Sequence, residues 1–165
     1  KHLFRSISMS ISHSTRREDI AVDYDNVFWR RAPFVRLEIA VKTYLSKPGV
    51  YEFAVGTKKE PLVVAYIGET GDLNERIRKH NTSHSGTKRA EMERYEEQGY
   101  CIWVRHRCLS TKEEAQENEL YFLHKFDYAW NLKDNSKEQT RDLIVEKKEY
   151  VKKEKECSVK KEKEC

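Results

Sequence analysis

The chain has 165 residues, a formal net charge of +4 and a sequence pI ≈ 8.8, with 36% charged and 38% hydrophobic residues. These values predict one domain with polar tails, and the mild positive charge permits a nucleic-acid partner without requiring one. No apolar run approaches the ~20 residues of a membrane span, which disfavours a membrane protein. The first twelve residues lack the apolar stretch of a secretory signal, so we expect an intracellular protein.

In chain order, the first segment is a polar N-terminal extension, residues 1–33. We expect three aromatic side chains near its end to pack on the domain as a strap: Phe28, Trp29 and Phe34. The apolar spacing over 34–45 is close to the helical period and predicts a helix. The Pro-Gly pair at 48–49 ends it.

A hairpin and a short helix follow. Residues 50–55 and 62–67 are typical of two strands, and the polar residues between them predict a hairpin loop. Asp72 and Glu75 have capping-box spacing, so a helix is predicted over 72–80. Another helix is predicted over 88–98, ended by Gly99, and alternation over 100–108 predicts a third strand.

The last predicted helix follows overlapping capping boxes at Ser110 and Thr111 and ends near residue 126. Together these elements predict a small α/β (α+β) domain over 34–132, with a three-stranded antiparallel sheet flanked by helices. The remaining residues, 133–165, contain a seven-residue segment that occurs twice, at residues 151–157 and 159–165. Its nearly balanced Lys and Glu content is typical of a solvated helix or a disordered tail.

Cys101 and Cys108 lie seven residues apart in the predicted third strand, so their side chains are expected on opposite sheet faces. Neither belongs to a C-x-x-C pair, which disfavours a shared zinc site. We expect free thiols in a reducing compartment.

Four polar groups fall within about thirty residues of the predicted hairpin and its helix. Tyr51 and Tyr66 lie in the two strands, and Arg76 and His80 lie one helical turn apart. Two phenols, a guanidinium and an imidazole suit the handling of a phosphodiester, since a planar guanidinium binds phosphate oxygens well. Each of these residues also has a purely structural interpretation: a packed strand tyrosine, a surface arginine or a structural histidine.

Glu119 lies on or beside the apolar stripe of the last predicted helix. A carboxylate buried there needs a cation or hydrogen-bond donors. An ion pair with Lys or Arg is one interpretation, and a ligand for a hard divalent ion such as Mg²⁺ is the other.

The ordered combination of G-V-Y at 49–51, Y-I-G at 66–68, R-x-x-x-H at 76–80 and a later helix glutamate resembles the GIY-YIG nuclease superfamily. Val50 replaces the usual isoleucine of the first motif. Residues 99–131 are also similar to plant proteins called effectors of transcription, although the cysteine-rich repeats of those proteins are not recognisable here. The gap from Glu119 to Asn131 is similar to that of GIY-YIG restriction enzymes.

The resemblance implies an endonuclease that hydrolyses DNA phosphodiester bonds with Mg²⁺ or Mn²⁺ held by Glu119, and a nuclear location. It implies that Tyr51 is the general base, that Tyr66 positions the reacting groups, and that Arg76 and His80 contact the phosphate. Asn131 would hold the site or the phosphate, or be a simple turn residue. The basic residues predicted to contact the DNA backbone are Lys88, Arg89 and Arg105, with Arg94 and Arg107 beside them.

Two other classes of function remain open. One is a catalytically weak or inactive GIY-YIG domain that acts as a DNA-binding transcriptional regulator. The other is a protein-interaction domain, which predicts no salt-dependent affinity for DNA.

Overall fold

The computed structural model of the protein describes residues 15–17, 27–85 and 87–131. The strands are β1 (Thr15–Arg16), β2 (Val35–Arg36), β3 (Gly49–Gly56), β4 (Pro61–Thr70), β5 (Cys101–Cys108) and β6 (Phe126–Asp127). The helices are α1 (Leu37–Ala40), α2 (Leu73–Thr82), α3 (Arg89–Glu96) and α4 (Lys112–Lys125). The repeated tail lies outside the described residues.

The main sheet is antiparallel and has the strand order β2-β5-β3-β4, so β4 and the two-residue β2 form its edges. The predicted mixed fold with helices flanking an antiparallel sheet is confirmed, with a short fourth strand added to the three expected. A second, two-stranded sheet pairs β1 with β6 in parallel.

Helices cover both faces of the main sheet. On one face, α1, α2 and α3 pack over β3 and β5 through residues such as Leu37, Ile77 and Met92. On the other face, α4 packs through Ala115 and Phe122 together with the N-terminal segment. A two-sided cover explains why every residue of β3 is buried.

The predicted helix over 34–45 is wrong for most of its length. Only Leu37–Ala40 is helical, because Val35–Arg36 extends as β2 and pairs with β5. Ile39 and Leu45, which belonged to the predicted apolar stripes, are 52% and 56% exposed. Strand pairing at the sheet edge therefore overrode a helical period in the sequence.

The N-terminal strap packs as expected. Trp29 is 2% exposed and Phe34 is 7% exposed, and both lie in the core beneath α4, with Phe28 packed against them. Arg17 is also buried, at 2% exposure. Described residues before position 34 thus contribute to the domain core.

Candidate active site

Strand register brings the two motif tyrosines together. Tyr51 in β3 lies opposite Gly68 in β4, and Phe53 lies opposite Tyr66, so both tyrosines occupy one sheet face. Their ring centroids are 6.1 Å apart. A β-bulge follows the Phe53–Tyr66 pair and increases the local twist at the edge strand.

Helix α2 supplies the other two groups. It begins directly after β4, and the Asp72 side chain accepts a hydrogen bond from the Glu75 N–H, so the predicted N-terminal cap is confirmed. The cap fixes where the helix starts, and Arg76 and His80 then lie one turn apart on the side facing the tyrosines. We call Tyr51, Tyr66, Arg76 and His80 the tyrosine cluster.

The Tyr51 oxygen accepts two hydrogen bonds from α2. Arg76 donates through Nε at 3.2 Å, and His80 Nε2 lies 2.9 Å away. The backbone N–H of Lys88 donates to His80 Nδ1 at 3.1 Å, so Nδ1 carries no proton. The imidazole proton is therefore on Nε2 and points at Tyr51.

Tyr66 lies beside these groups, and its interactions with Tyr51 and Arg76 lower its pKa. The cluster is thus a directed chain from the Lys88 N–H through His80 to the Tyr51 oxygen, with Tyr66 next to its end.

Burial sets the ionisation of the cluster. Desolvation raises the pKa of Tyr51, which is 0% exposed, well above 10, against the opposing effect of Arg76. Desolvation also raises the pKa of Tyr66, while Arg76 and the hydrogen bond from Tyr51 lower it. Burial and the nearby Arg76 charge lower the pKa of His80 to about 3, so His80 is neutral at pH 7.

Glu119 approaches the cluster from the opposite face of the sheet. Helix α4 packs across β3 and the edge strand β4. Glu119 is half-buried on this helix, and its charge raises the pKa of Tyr66. The carboxylate and the second tyrosine are thus electrostatic neighbours around the free edge of β4.

The donor set at this edge fits Mg²⁺ or Mn²⁺ better than zinc. Among the described residues, no group of three or more His, Cys, Asp or Glu side chains is arranged to hold a metal. Zinc sites in proteins need three or four such ligands, whereas Mg²⁺ is commonly held by one or two carboxylates, with water and phosphate completing its shell. Glu119 is the carboxylate beside Tyr66 that fits this role.

Gly68 leaves space for the cluster, since a Cβ there would lie 2.5 Å from the Tyr51 hydroxyl oxygen. Gly49 instead allows the close approach of β5, since a Cβ there would meet the Arg107 carbonyl oxygen.

A shallow pocket of ≈ 340 Å³ opens beside Arg76 and is lined also by Lys79 and by two carboxylates, Asp72 and Glu75. A phosphate in this pocket would meet the exposed side of Arg76 and the Lys79 ammonium.

Two predicted substrate contacts are contradicted by burial. His80 is 0% exposed, so its place is behind Tyr51 rather than against a phosphate. Arg105 is also 0% exposed and pairs with Glu52 at 2.5 Å, so it does not lie on a surface that DNA reaches. Strand alternation places Arg105 and Arg107 on the same sheet face, but the N-terminal strap covers that face at Arg105.

The other predicted contacts lie near the cluster in different ways. Asn131 is buried, accepts a hydrogen bond from the Ile67 N–H at 3.0 Å and donates to the Ile67 carbonyl at 2.9 Å. It therefore holds the edge of β4 beside Tyr66. Lys88 lies with its Nζ 5.6 Å from the centre of the Tyr66 ring and pairs with a glutamate of α3. Arg89 makes two ion pairs along α3.

Sequence reasoning missed the backbone contact of Lys88 with His80 and the buried pair of Glu52 with Arg105. The first depends on how α3 approaches α2. A signal for the second was present, since Glu52 interrupts an otherwise apolar strand between Tyr51 and Phe53. No helix of the described ranges is long and apolar enough to span a bilayer.

Comparisons with known proteins place these features in a family. The similar solved structures are GIY-YIG N-terminal endonuclease domains of UvrC from Thermotoga maritima. The form bound to its catalytic divalent cation, magnesium, is 22% identical with a TM-score of 0.41, covering 58% of this chain and 94% of that chain. One point mutant is 21% identical with a TM-score of 0.40, covering 55% and 88%, and another is 21% identical with a TM-score of 0.43, covering 58% and 93%.

No curated protein sequence matches the chain. The family model for GIY-YIG domain-containing proteins matches residues 20–144, which is more than half of the chain and encloses both the tyrosine cluster and Glu119. The protein therefore belongs to the GIY-YIG domain family.

Proposed function

We propose that the protein is a metal-dependent endonuclease that hydrolyses phosphodiester bonds in DNA. The observation that carries this proposal is the hydrogen-bonded tyrosine cluster with Glu119 as the electrostatic neighbour of Tyr66. Phosphoryl transfer needs a proton acceptor for water, a cation for the phosphate and a charged ligand for a metal. The tyrosine cluster and Glu119 supply one group of each kind.

We assign the proton acceptor to Tyr66 rather than to Tyr51. Tyr51 is fully buried, and two N–H donors already occupy its oxygen. Tyr66 is partly exposed, and Tyr51 and Arg76 favour its phenolate against the burial that raises its pKa. In this scheme the phenolate of Tyr66, which Tyr51 and Arg76 stabilise, takes the proton of the attacking water and becomes neutral.

Arg76 can contact both the tyrosine cluster and the phosphate of the substrate. Its Nε holds the tyrosine cluster, and its side chain also borders the open pocket of ≈ 340 Å³. A guanidinium there binds a non-bridging phosphate oxygen and stabilises the charge of the pentavalent transition state. When bound, a divalent cation on Glu119 would neutralise charge developing on the leaving 3′ oxygen. The nuclear location implied by the resemblance remains a prediction.

The test is the nicking of supercoiled plasmid in Mg²⁺ or Mn²⁺, with and without a chelator. We expect nicking that the chelator abolishes and that accelerates from pH 7 to pH 9 as the minor phenolate fraction of Tyr66 grows. Tyr66→Phe should slow it about 100-fold or more, the size of a general-base effect. Tyr51→Phe, which removes only a supporting hydrogen bond, should slow it about 10-fold.

The matched control is Tyr121→Phe, since Tyr121 is 57% exposed on α4 and outside the cluster. Nicking without metal, or a Tyr66→Phe variant as active as the Tyr121→Phe control, would contradict the proposal. Salt-dependent DNA binding without cleavage in any metal would support the alternative, a non-catalytic DNA-binding regulator.

A further inference from the structure

A second pocket, of ≈ 700 Å³, lies at the β5 side of the molecule, away from Glu119. We call it the arginine pocket, and its polar and aromatic lining consists mainly of Phe28, Arg30, Arg31, Tyr44, His106 and Arg107. Its volume falls within the usual range of pockets that bind small molecules and cofactors.

The arginine pocket exists because β2 is short. Only Val104 and Trp103 of β5 pair with β2, so the rest of β5 has an open outer edge among the described strands. The strap crosses this opening, and Arg107 fastens it by donating a hydrogen bond to the Phe28 carbonyl oxygen. The Arg107 guanidinium also lies 4.6 Å from the centre of the Phe28 ring. The pocket is thus built by tertiary contacts.

The charge of the arginine pocket is one-sided. Arg30, Arg31 and Arg107 line it, and no lining residue is acidic. Within the ranges that the structure describes, none of the three forms an ion pair, and all three side chains are exposed. Three guanidinium groups around one opening favour an anion, and arginine is well matched to phosphate oxygens.

The inner wall of the arginine pocket is aromatic. The rings of Tyr44 and His106 lie with centroids 3.9 Å apart, and the Tyr44 hydroxyl is fixed to the Val104 carbonyl oxygen. Burial lowers the pKa of His106, so it is a neutral ring at pH 7 rather than a fourth cation. The two ring planes are inclined at 44° and Tyr44 is buried behind His106, so the half-buried His106 ring is the one on which a nucleobase can stack.

We propose that the arginine pocket binds one nucleotide, with the phosphate at the arginines and the base against the Tyr44–His106 wall. The ligand has two possible sources: a nucleotide unit of the DNA strand under attack, or a free nucleotide. The strand source rests on the proposed endonuclease function, whereas the free-nucleotide source does not.

The position of the arginine pocket suits the strand source. His106 is the β5 partner of Tyr51, so its ring lies on the sheet face of the tyrosine cluster, whereas Arg107 lies on the other face and the pocket wraps around the open edge of β5. The strand β5 is separated from β4 by β3, which places it about 10 Å from β4 at normal strand spacing. A strand with its phosphate at Arg76 can therefore place a nearby nucleotide in the arginine pocket.

The experiment measures dissociation constants in chelator, where no metal-dependent cleavage takes place. The probes are a fluorescently labelled 5′-mononucleotide and a labelled single-stranded oligonucleotide. The double variant Arg30→Ala/Arg31→Ala should weaken at least one of them 10-fold or more. If the strand is the ligand, loss of two phosphate contacts should reduce the salt slope of its binding by about 1.4.

The matched control is Lys58→Ala/Lys59→Ala, which removes two exposed lysines from the hairpin loop. Loss of strand affinity alone identifies the strand as the source, and loss of mononucleotide affinity alone identifies a free nucleotide. The inference is overturned if both affinities stay within twofold of the control, or if inorganic phosphate competes as strongly as the mononucleotide. Because binding is measured without cleavage, an inactive nuclease with intact nucleotide binding would overturn only the proposed function.

Discussion

His80 is a histidine that the fold keeps neutral. It is 0% exposed, accepts from the Lys88 N–H and donates to Tyr51, and its pKa is lowered to about 3. The i, i+4 spacing with Arg76 was readable from the sequence, as was the hairpin that pairs the tyrosines. The proton position was not, because it depends on a backbone group of α3 that only tertiary packing brings to His80.

The neutral state of His80 predicts a pH dependence of stability. In the unfolded chain His80 takes up a proton near pH 6.5, whereas the folded protein resists protonation until about pH 3. Unfolding therefore binds a proton between these values, and His80 contributes a loss of stability as the pH falls. Between pH 7 and pH 5 the contribution is about 2 kcal/mol.

Urea unfolding of wild type and His80→Gln at both pH values measures this contribution. The free-energy difference between the two proteins should change by about 2 kcal/mol from pH 7 to pH 5. The control Gln116→Asn, at an exposed residue of α4 that does not titrate, should show the same pH dependence as wild type. A parallel response of wild type and His80→Gln would contradict the lowered pKa.

At the scale of elements, the strands and the capped helices were predictable and the short elements were not. The residues of β3, β4 and β5 carry strong strand patterns, and Asp72 and Thr111 cap their helices as the spacing indicates. Gly99 ends α3 with a φ of +86°, a conformation that favours glycine. The helix predicted over 34–45 was wrong because the apolar period of this segment competed with edge pairing to β5, which is distant in sequence.

The close packing of β4 on β3 makes Gly68 a sensitive position. A Cβ there would meet the Tyr51 hydroxyl oxygen at 2.5 Å, so Gly68→Ala must move the tyrosine or part the strands. We expect a loss of stability of about 1–3 kcal/mol, measured by denaturant unfolding, and a loss of nicking activity.

Gly71→Ala is the control, since its Cβ would meet only the Lys112 side chain, at 3.7 Å. It should change stability by less than about 1 kcal/mol. Equal effects of the two substitutions would mean that the space at Gly68 is not needed to seat Tyr51.

At the scale of the whole molecule, a buried charge network joins distant parts of the chain. Glu52 in β3 pairs with Arg105 in β5 and with Arg17 at 3.4 Å, and it accepts a hydrogen bond from Tyr128 at 2.5 Å. The Arg105 guanidinium lies 4.4 Å from the centre of the Trp29 ring. The sequence showed the charges but not their partners, because alternation alone does not reveal which face of a strand a strap will cover.

Removing the charge of Glu52 should destabilise the whole domain. Glu52→Gln leaves two buried guanidinium groups without their carboxylate, and breaking such a pair costs about 3–5 kcal/mol. Chemical denaturation of the variant measures this, with Glu60→Gln in the exposed hairpin loop as the control. A loss below about 1 kcal/mol would show that the network is not a structural centre.

In the proposed endonuclease, the tyrosine cluster and Glu119 form one active site. The most direct test is the single-turnover cleavage rate of labelled DNA in Mg²⁺ for Glu119→Gln, beside Glu117→Gln, which changes an exposed glutamate of the same helix. We expect Glu119→Gln to cleave about 100-fold or more slowly than wild type, with its DNA affinity preserved. Glu117→Gln should cleave at the wild-type rate. Equal cleavage rates for the two variants, or no cleavage by wild type, would contradict the proposal.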